Sequence, residues 1–153
     1  METGVPQISG LSERAKVIDQ LVSTYRDLNT RYRPLGDETL RSSGAREIIE
    51  RMRMDEMLFA QALKERITGF GTVPLDSDDE PVIGTESADD STIMVISQFG
   101  NARATTLTLL KSIGEDEWQN PTDDGKTILE HARDLAESDR NQMAKLERLV
   151  AGR

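Results

Sequence analysis

The stretch AREIIERMRMDEMLFAQALKERI, residues 45–67, decides the fold. Its apolar residues Ala45, Ile48, Ile49, Met52, Leu58, Phe59, Ala62, Leu63 and Ile67 recur at intervals of three and four, the period of one helix face. Ser42-Ser43-Gly44 supplies capping residues ahead of the run, and Gly69 stops it. Upstream, Leu11, Val17, Ile18, Leu21, Val22, Tyr25, Leu28 and Tyr32 repeat the same spacing, so a first helix is expected from Leu11 to about Tyr32, broken by Pro34, Gly36 and Asp37. Downstream, Gly69 to Asp90 has no period and contains Pro74 and Pro81, which predicts a long connection. A third helix is expected over Thr92–Ile113, with Ile93, Ile96, Phe99, Ala102 or Arg103, Leu107 and Leu110 along one side; Gly100 costs it about 1 kcal/mol relative to Ala.

Gly114 ends that helix, and Glu115-Asp116-Glu117-Trp118 before Pro121 predicts a helical turn that packs the only Trp against one end of the fold. Thr127-Ile128-Leu129-Glu130 has the spacing of a capping box and opens a fourth helix, whose face Ile128, Ala132, Leu135, Met143, Leu146, Leu149 and Val150 runs to Gly152. Four amphipathic helices with a long second connection and no β-rich run predict an all-α four-helix bundle, one domain over residues 1–153.

Composition narrows the function. The chain has no cysteine, which removes disulfides, thiolate metal sites and thiol nucleophiles and fits a reducing compartment. Met1 to Gly10 has neither a basic start nor an apolar run, and no stretch approaches the ~20 apolar residues of a membrane helix; a cytoplasmic protein without a membrane partner is expected. Seven acidic residues and no Lys or Arg lie between Asp76 and Asp90, which accounts for most of the net charge of −9. The chain offers no basic footprint to displace counterions from phosphates, so nucleic acid is not an expected partner.

Cofactor sites in helical bundles are built from inward polar side chains on facing helices. Arg51 and Asp55 lie on or next to the stripe Ile48, Met52, Phe59, and Ser138, Asp139 and Gln142 interrupt the apolar run between Leu135 and Leu146. These five are the candidate ligand-binding residues; a structural alternative pairs Arg51 or Asp55 with Asp139 in a buried ion pair, since buried charges persist only when partnered. The only histidine, His131, follows Glu130 directly, so neither a Glu-x-x-His nor a His-Glu-x-x-His motif is present, and one His cannot make a nitrogen-ligand zinc site. Gly69-Phe70-Gly71 lacks the third glycine of a dinucleotide loop and reads as a turn.

The run from Ser43 to Met52 followed by Asp55-Glu56-Met57-Leu58-Phe59 resembles the second helix of DinB-like proteins, in which an early His precedes an acidic-x-x-Phe. Trp118, Gly125-Lys126-Thr127-Ile128 and Ser138-Asp139-Arg140-Asn141-Gln142-Met143-Ala144-Lys145-Leu146 are similar to the end of that fold, where a Gly and a helix start precede His-Asp-x-x-His-Leu. The resemblance spans nearly the whole chain. It implies a four-helix bundle, commonly a homodimer, often with a three-histidine metal site linked to metal-dependent hydrolase or low-molecular-weight-thiol transferase activity. In this chain the early His position falls on Arg51 and the late two on Ser138 and Gln142, while Asp139 is retained. Arg cannot lose its proton to bind a cation, and Ser and Gln are weak ligands for first-row metals, so neither metal nor cofactor is expected. The leading expectation is a metal-free polar pocket whose Arg51 takes a small carboxylate or phosphate ligand. Alternatives are an enzyme using Asp55, Asp139 and Glu56 around Mg or Mn, and an assembly role in which helix faces pair two subunits.

Overall fold

A computed structural model describes residues 4–68, 91–122 and 124–152. The described residues are all-α: α1 (Gly4–Asp27), α2 (Asp37–Ser42), α3 (Ala45–Thr68), α4 (Thr92–Ser112) and α5 (Ile128–Ala151). The one β feature among them is an isolated antiparallel bridge between Pro121 and Thr127.

The helix ends follow their capping chemistry. Thr127 accepts from the Glu130 N–H while Glu130 accepts from the Thr127 N–H, the reciprocal pair expected from the sequence. Ser91 caps α4 by accepting from the Met94 N–H. At the other end of the first expected helix, α1 gives way to a π-helical turn, Leu28–Tyr32, and then to a 3₁₀ turn, Arg33–Leu35, with Pro34 inside it. The sequence reading left only a break between Pro34 and Ser42. The chain instead forms the short α2, entered through Gly36 at φ +90° and carrying Asp37 and Glu38 in its first turn, where carboxylates oppose the positive helix end.

Asp37 also ties α2 to α4, since its Oδ1 accepts from the Thr92 N–H at 2.6 Å and its Oδ2 from Arg41 Nε at 2.8 Å. The Thr92 donor, followed by Arg41, holds the Asp37 carboxyl down at about 2. A folded-state pKa below the unfolded one contributes stability above the unfolded value and loses it as pH falls through the folded value. Asp37→Asn is therefore expected to remove part of the acid sensitivity of the fold between roughly pH 4 and 2, read as a flatter pH dependence of the urea midpoint; an unchanged profile would refute this role.

Cross-helix pairs give the chain directions. Arg46 with Thr92, Arg53 with Gln98 and Glu56 with Arg103 rise together, so α3 and α4 run parallel. Glu13 with Arg133 and Thr24 with Asp139 likewise make α1 and α5 parallel. Arg14 donates to the Ile113 carbonyl and Arg103 to the Leu21 carbonyl, so α1 opposes α4. Parallel α3 and α4 require a connection that returns the length of a helix, and the expected crossover, residues 69–90, lies outside the described residues.

The core is two apolar clusters stacked along the helices. One gathers Val17, Leu21, Leu63, Leu110, Trp118, Ile128 and Ala132 with their neighbours, and the other Leu28, Leu40, Ile49, Met52, Ile96, Phe99 and Leu146 with theirs. Gly100 has a packing reason to be glycine: a Cβ there would lie 2.5 Å from the Tyr25 ring, which crosses α4 at that point and tilts against Phe99 at a centroid distance of 6.3 Å.

Candidate functional site

On each long helix the residues between the two apolar clusters include a polar one. Thr24 follows Leu21 and precedes Leu28 on α1; Glu56 lies between Met52 and Leu63 on α3; Arg103 lies between Phe99 and Leu110 on α4; Asp139 lies between Ala136 and Leu146 on α5. Each sits at a three- or four-residue step within its buried stripe, so helical geometry turns all four inward. Arg103 and Glu56 are 1% exposed and Asp139 6%.

Arg103 is the hub. Its Nε donates to Glu56 Oε2 at 2.8 Å and its Nη2 to Glu56 Oε1 at 2.7 Å, a bidentate fork. The second Nη2 hydrogen reaches Asp139 Oδ1 at 3.1 Å, while Nη1 serves Asp139 Oδ2 at 3.0 Å and the Leu21 carbonyl at 2.6 Å. A guanidinium has five N–H donors, and these five contacts use all of them. Thr24 Oγ1 completes the cluster by donating to Asp139 Oδ2 at 2.6 Å, and the Arg103 guanidinium carbon lies 5.0 Å from the Phe99 ring centroid.

Two carboxyl groups share one guanidinium here. Burial works against the charged form of Arg103, but Glu56 and then Asp139 outweigh it and raise its pKa. Burial raises the Asp139 pKa, opposed by Arg103 and Thr24 and assisted by the Glu56 charge.

The five sequence-derived candidates do not form one site. Arg51 and Asp55 are exposed on the outer face of α3, Ser138 and Gln142 are half-buried on α5, and only Asp139 reaches the centre. The expected ion pair of Asp139 with Arg51 or Asp55 is thus corrected: the partners are Arg103 and, through it, Glu56. The cause is phase. The buried stripe of α3 runs Ala45, Ile49, Met52, Glu56, Ala60, Leu63, which places Glu56 inside and Arg51 and Asp55 on the solvent side. Reading the steps Met52, Glu56, Ala60 as one stripe, and choosing Arg103 over Ala102 on the third helix, would have found both residues. Gln142 Oε1 is buried without a hydrogen-bond partner among the described residues.

These residues do not fit the metal site that a DinB-like fold implies. The three ligand positions hold an outward arginine and two neutral side chains, while both inward carboxylates are committed to a fixed guanidinium, whose charge repels a second cation. Among the described residues no group of three or more His, Cys, Asp or Glu side chains is placed to hold a metal ion. The carboxylate alternative fails in the same way, since Asp55 points away from Glu56 and Asp139. Nor does the inner arginine keep a donor for an anionic ligand.

His131 belongs to a separate turn. Its Nε2 lies 3.1 Å from Thr122 Oγ1 and 3.0 Å from Asp124 Oδ1. Both partners address the same ring nitrogen, whereas a catalytic triad needs a nucleophile on one nitrogen and an acid on the other. The group orders the turn before α5: Asp124 also accepts from Thr122 Oγ1 and the Lys126 N–H, and these bonds, with His131, hold its carboxyl well below the usual range.

A second polar seam joins α3 to α4. Arg46 donates to Thr92 Oγ1 and pairs with Glu50, and Arg53 donates to Gln98 Oε1 at 2.5 Å. Both arginines are buried, their stems covering apolar surface between the parallel helices. Among the described residues no helix is long and apolar enough to cross a membrane. Comparisons with protein-family models, curated proteins and solved structures give no match to this chain.

Proposed function

We propose that this chain is a DinB-like four-helix bundle that works through its surfaces, as a homodimeric binding and assembly module, and not through a metal or cofactor at its centre. The observation that carries this reading is the closed coordination of Arg103: five donors on Leu21, Glu56 and Asp139, at the place where the four long helices meet. A site that binds or converts a ligand keeps some polar group uncommitted and facing the ligand. Here the inward charged groups bond one another, and Gln142 Oε1 and Thr106 Oγ1, buried without a partner among the described residues, are neutral, so the charged centre of the bundle holds the helices together.

The test is a thermal melt of the chain purified without chelators, alone and with Mn²⁺ or Zn²⁺. A ligand present at 100 times its Kd adds roughly 2.7 kcal/mol, which moves Tm by several degrees. The expected result is a Tm unchanged within about 1 °C, well below that ligand-sized shift. A rise of several degrees that Glu56→Gln or Asp139→Asn abolishes would restore a metal centre and overturn the proposal.

A further inference from the structure

The outer face of α3 carries a stripe that the fold leaves uncovered: Arg51, Met54, Leu58, Ala62 and Glu65, exposed but for a half-buried Glu65. Leu58 is 59% exposed and Met54 43%, on a helix whose opposite side is core. Met54 and Leu58 lie one turn apart with Ala62 on the next turn, a short apolar line closed at its two ends by the charged residues Arg51 and Glu65.

The order of the stripe identifies the occupant. Its steps are three, four, four and three residues, symmetrical about Leu58. An isologous two-fold contact that lays two copies of α3 antiparallel, with the axis at Leu58, brings residue 58 against itself, 54 against 62 and 51 against 65. Leu58 then meets Leu58, Met54 meets Ala62, and Arg51 meets Glu65 on each side of the axis. The charges are opposite at both ends because the stripe is basic at one end and acidic at the other. Arg51 has no hydrogen-bond or ion-pair partner among the described residues, and Asp55, one turn away, does not pair with it. Of the Glu65 carboxylate, one oxygen accepts from Gln61 Nε2 at 2.8 Å and the other is open to a second donor.

We infer that this stripe is the self-association surface of the protein, its occupant a second copy of the same chain docked antiparallel along α3. Five positions span about 21 Å of helix, less than the ~800 Å² per partner of a standard interface requires. The surface continues sideways into a groove of about 440 Å³ between α3 and α4, lined by Met57, Ala60 and Gln61 on one side and Gln98, Ala102 and Thr105 on the other. Side chains flanking the stripe in the second copy enter this groove and widen the contact. The inference rests on the assembly reading above and names its surface: a monomeric wild type overturns both, whereas a dimer that Leu58→Glu leaves intact overturns the surface alone.

Sedimentation of the full chain over a concentration series, with far-UV circular dichroism as a control for folding, tests it. The wild type is expected to dimerise, and Leu58→Glu, which places two carboxylates on the axis, to weaken the dimer by roughly a hundredfold with its helicity unchanged. Arg51→Glu and Glu65→Arg, each facing like charge with like, are expected to weaken it about tenfold, and the double variant to return to within about threefold of wild type. That rescue is specific to an antiparallel pairing of these two positions. A monomeric wild type, a Leu58→Glu dimer as tight as wild type, or a double variant as weak as the singles would each overturn the inference.

Discussion

Replacing Arg103 by methionine is expected to cost the fold about 3–5 kcal/mol, the loss typical when one partner of a buried ion pair is removed. At roughly 2–4 °C per kcal/mol for a chain of this size, Tm falls by about 6–20 °C. The loss comes from what is left behind: Glu56, 1% exposed, and Asp139, 6% exposed, remain in the core without their cation. Two further variants separate this from lost packing. Arg103→Lys recovers little, because an ammonium has three donors where the site has five acceptors in a planar fork. Arg103→Met combined with Glu56→Met and Asp139→Leu is expected to match or exceed the wild type, since well-packed apolar groups of similar volume replace such clusters without penalty.

Acid supplies an independent check on the same substitution. Burial already raises the Asp139 pKa, and Arg103 opposes that rise. Without Arg103 the folded-state value climbs further above the unfolded one. A carboxyl raised in this way destabilises the fold above its folded pKa, and the penalty is relieved as pH falls through that value. The stability deficit of Arg103→Met is therefore expected to shrink as the pH is lowered from neutral, read from urea midpoints at a neutral and an acidic pH. A deficit that is absent, or identical at both, would mean that the charged cluster does not hold the core.

The second large effect is expected at Trp118, where alanine should cost about 3–5 kcal/mol. The indole is 1% exposed, its Nε1 donates to the Leu110 carbonyl at 3.2 Å, and the Arg14 guanidinium lies 5.0 Å from the ring centroid. Truncation opens a cavity in the apolar cluster that holds Trp118 and leaves the Leu110 carbonyl with only its second donor, the Ile113 N–H at 3.3 Å. Phenylalanine keeps most of the packing and loses the hydrogen bond, so its cost is expected to be about 1–2 kcal/mol. Arg14→Ala, which removes the cation over the ring and the hydrogen bond to the Ile113 carbonyl, is expected to cost about 1–2 kcal/mol. Urea unfolding followed by circular dichroism gives all three values, and an alanine variant within 1 kcal/mol of wild type would contradict the packing described here.

The helices were legible because their periods are long and their ends carry explicit chemistry. Thr127 with Glu130 and Ser43-Gly44 before Ala45 mark boundaries that need no tertiary information. The short α2 was not legible, because its first turn is organised by a contact from Thr92, 55 residues away, which no local pattern carries. The polar cluster was half legible. Asp139 stands out in an otherwise apolar run, but its partner is set by the rotation of α3 and α4, and an error of one residue on α3 exchanges an inward glutamate for an outward arginine or aspartate. Charged residues on amphipathic helices are outside by default, so a buried one is hidden among many that are not.

The stacking of apolar, charged and apolar zones along the helices also bears on how unique the packing is. Leucine and isoleucine faces slide past one another at low cost, and bundles built from them alone have near-equivalent alternatives. Here, shifting α4 by a single turn, about 5.4 Å, would drive Arg103 into hydrocarbon and strip Glu56, Asp139 and the Leu21 carbonyl of their donor at once. The guanidinium thereby acts as a registration pin: it adds little to the depth of the native minimum but removes the neighbouring minima, leaving four smooth surfaces one way to fit.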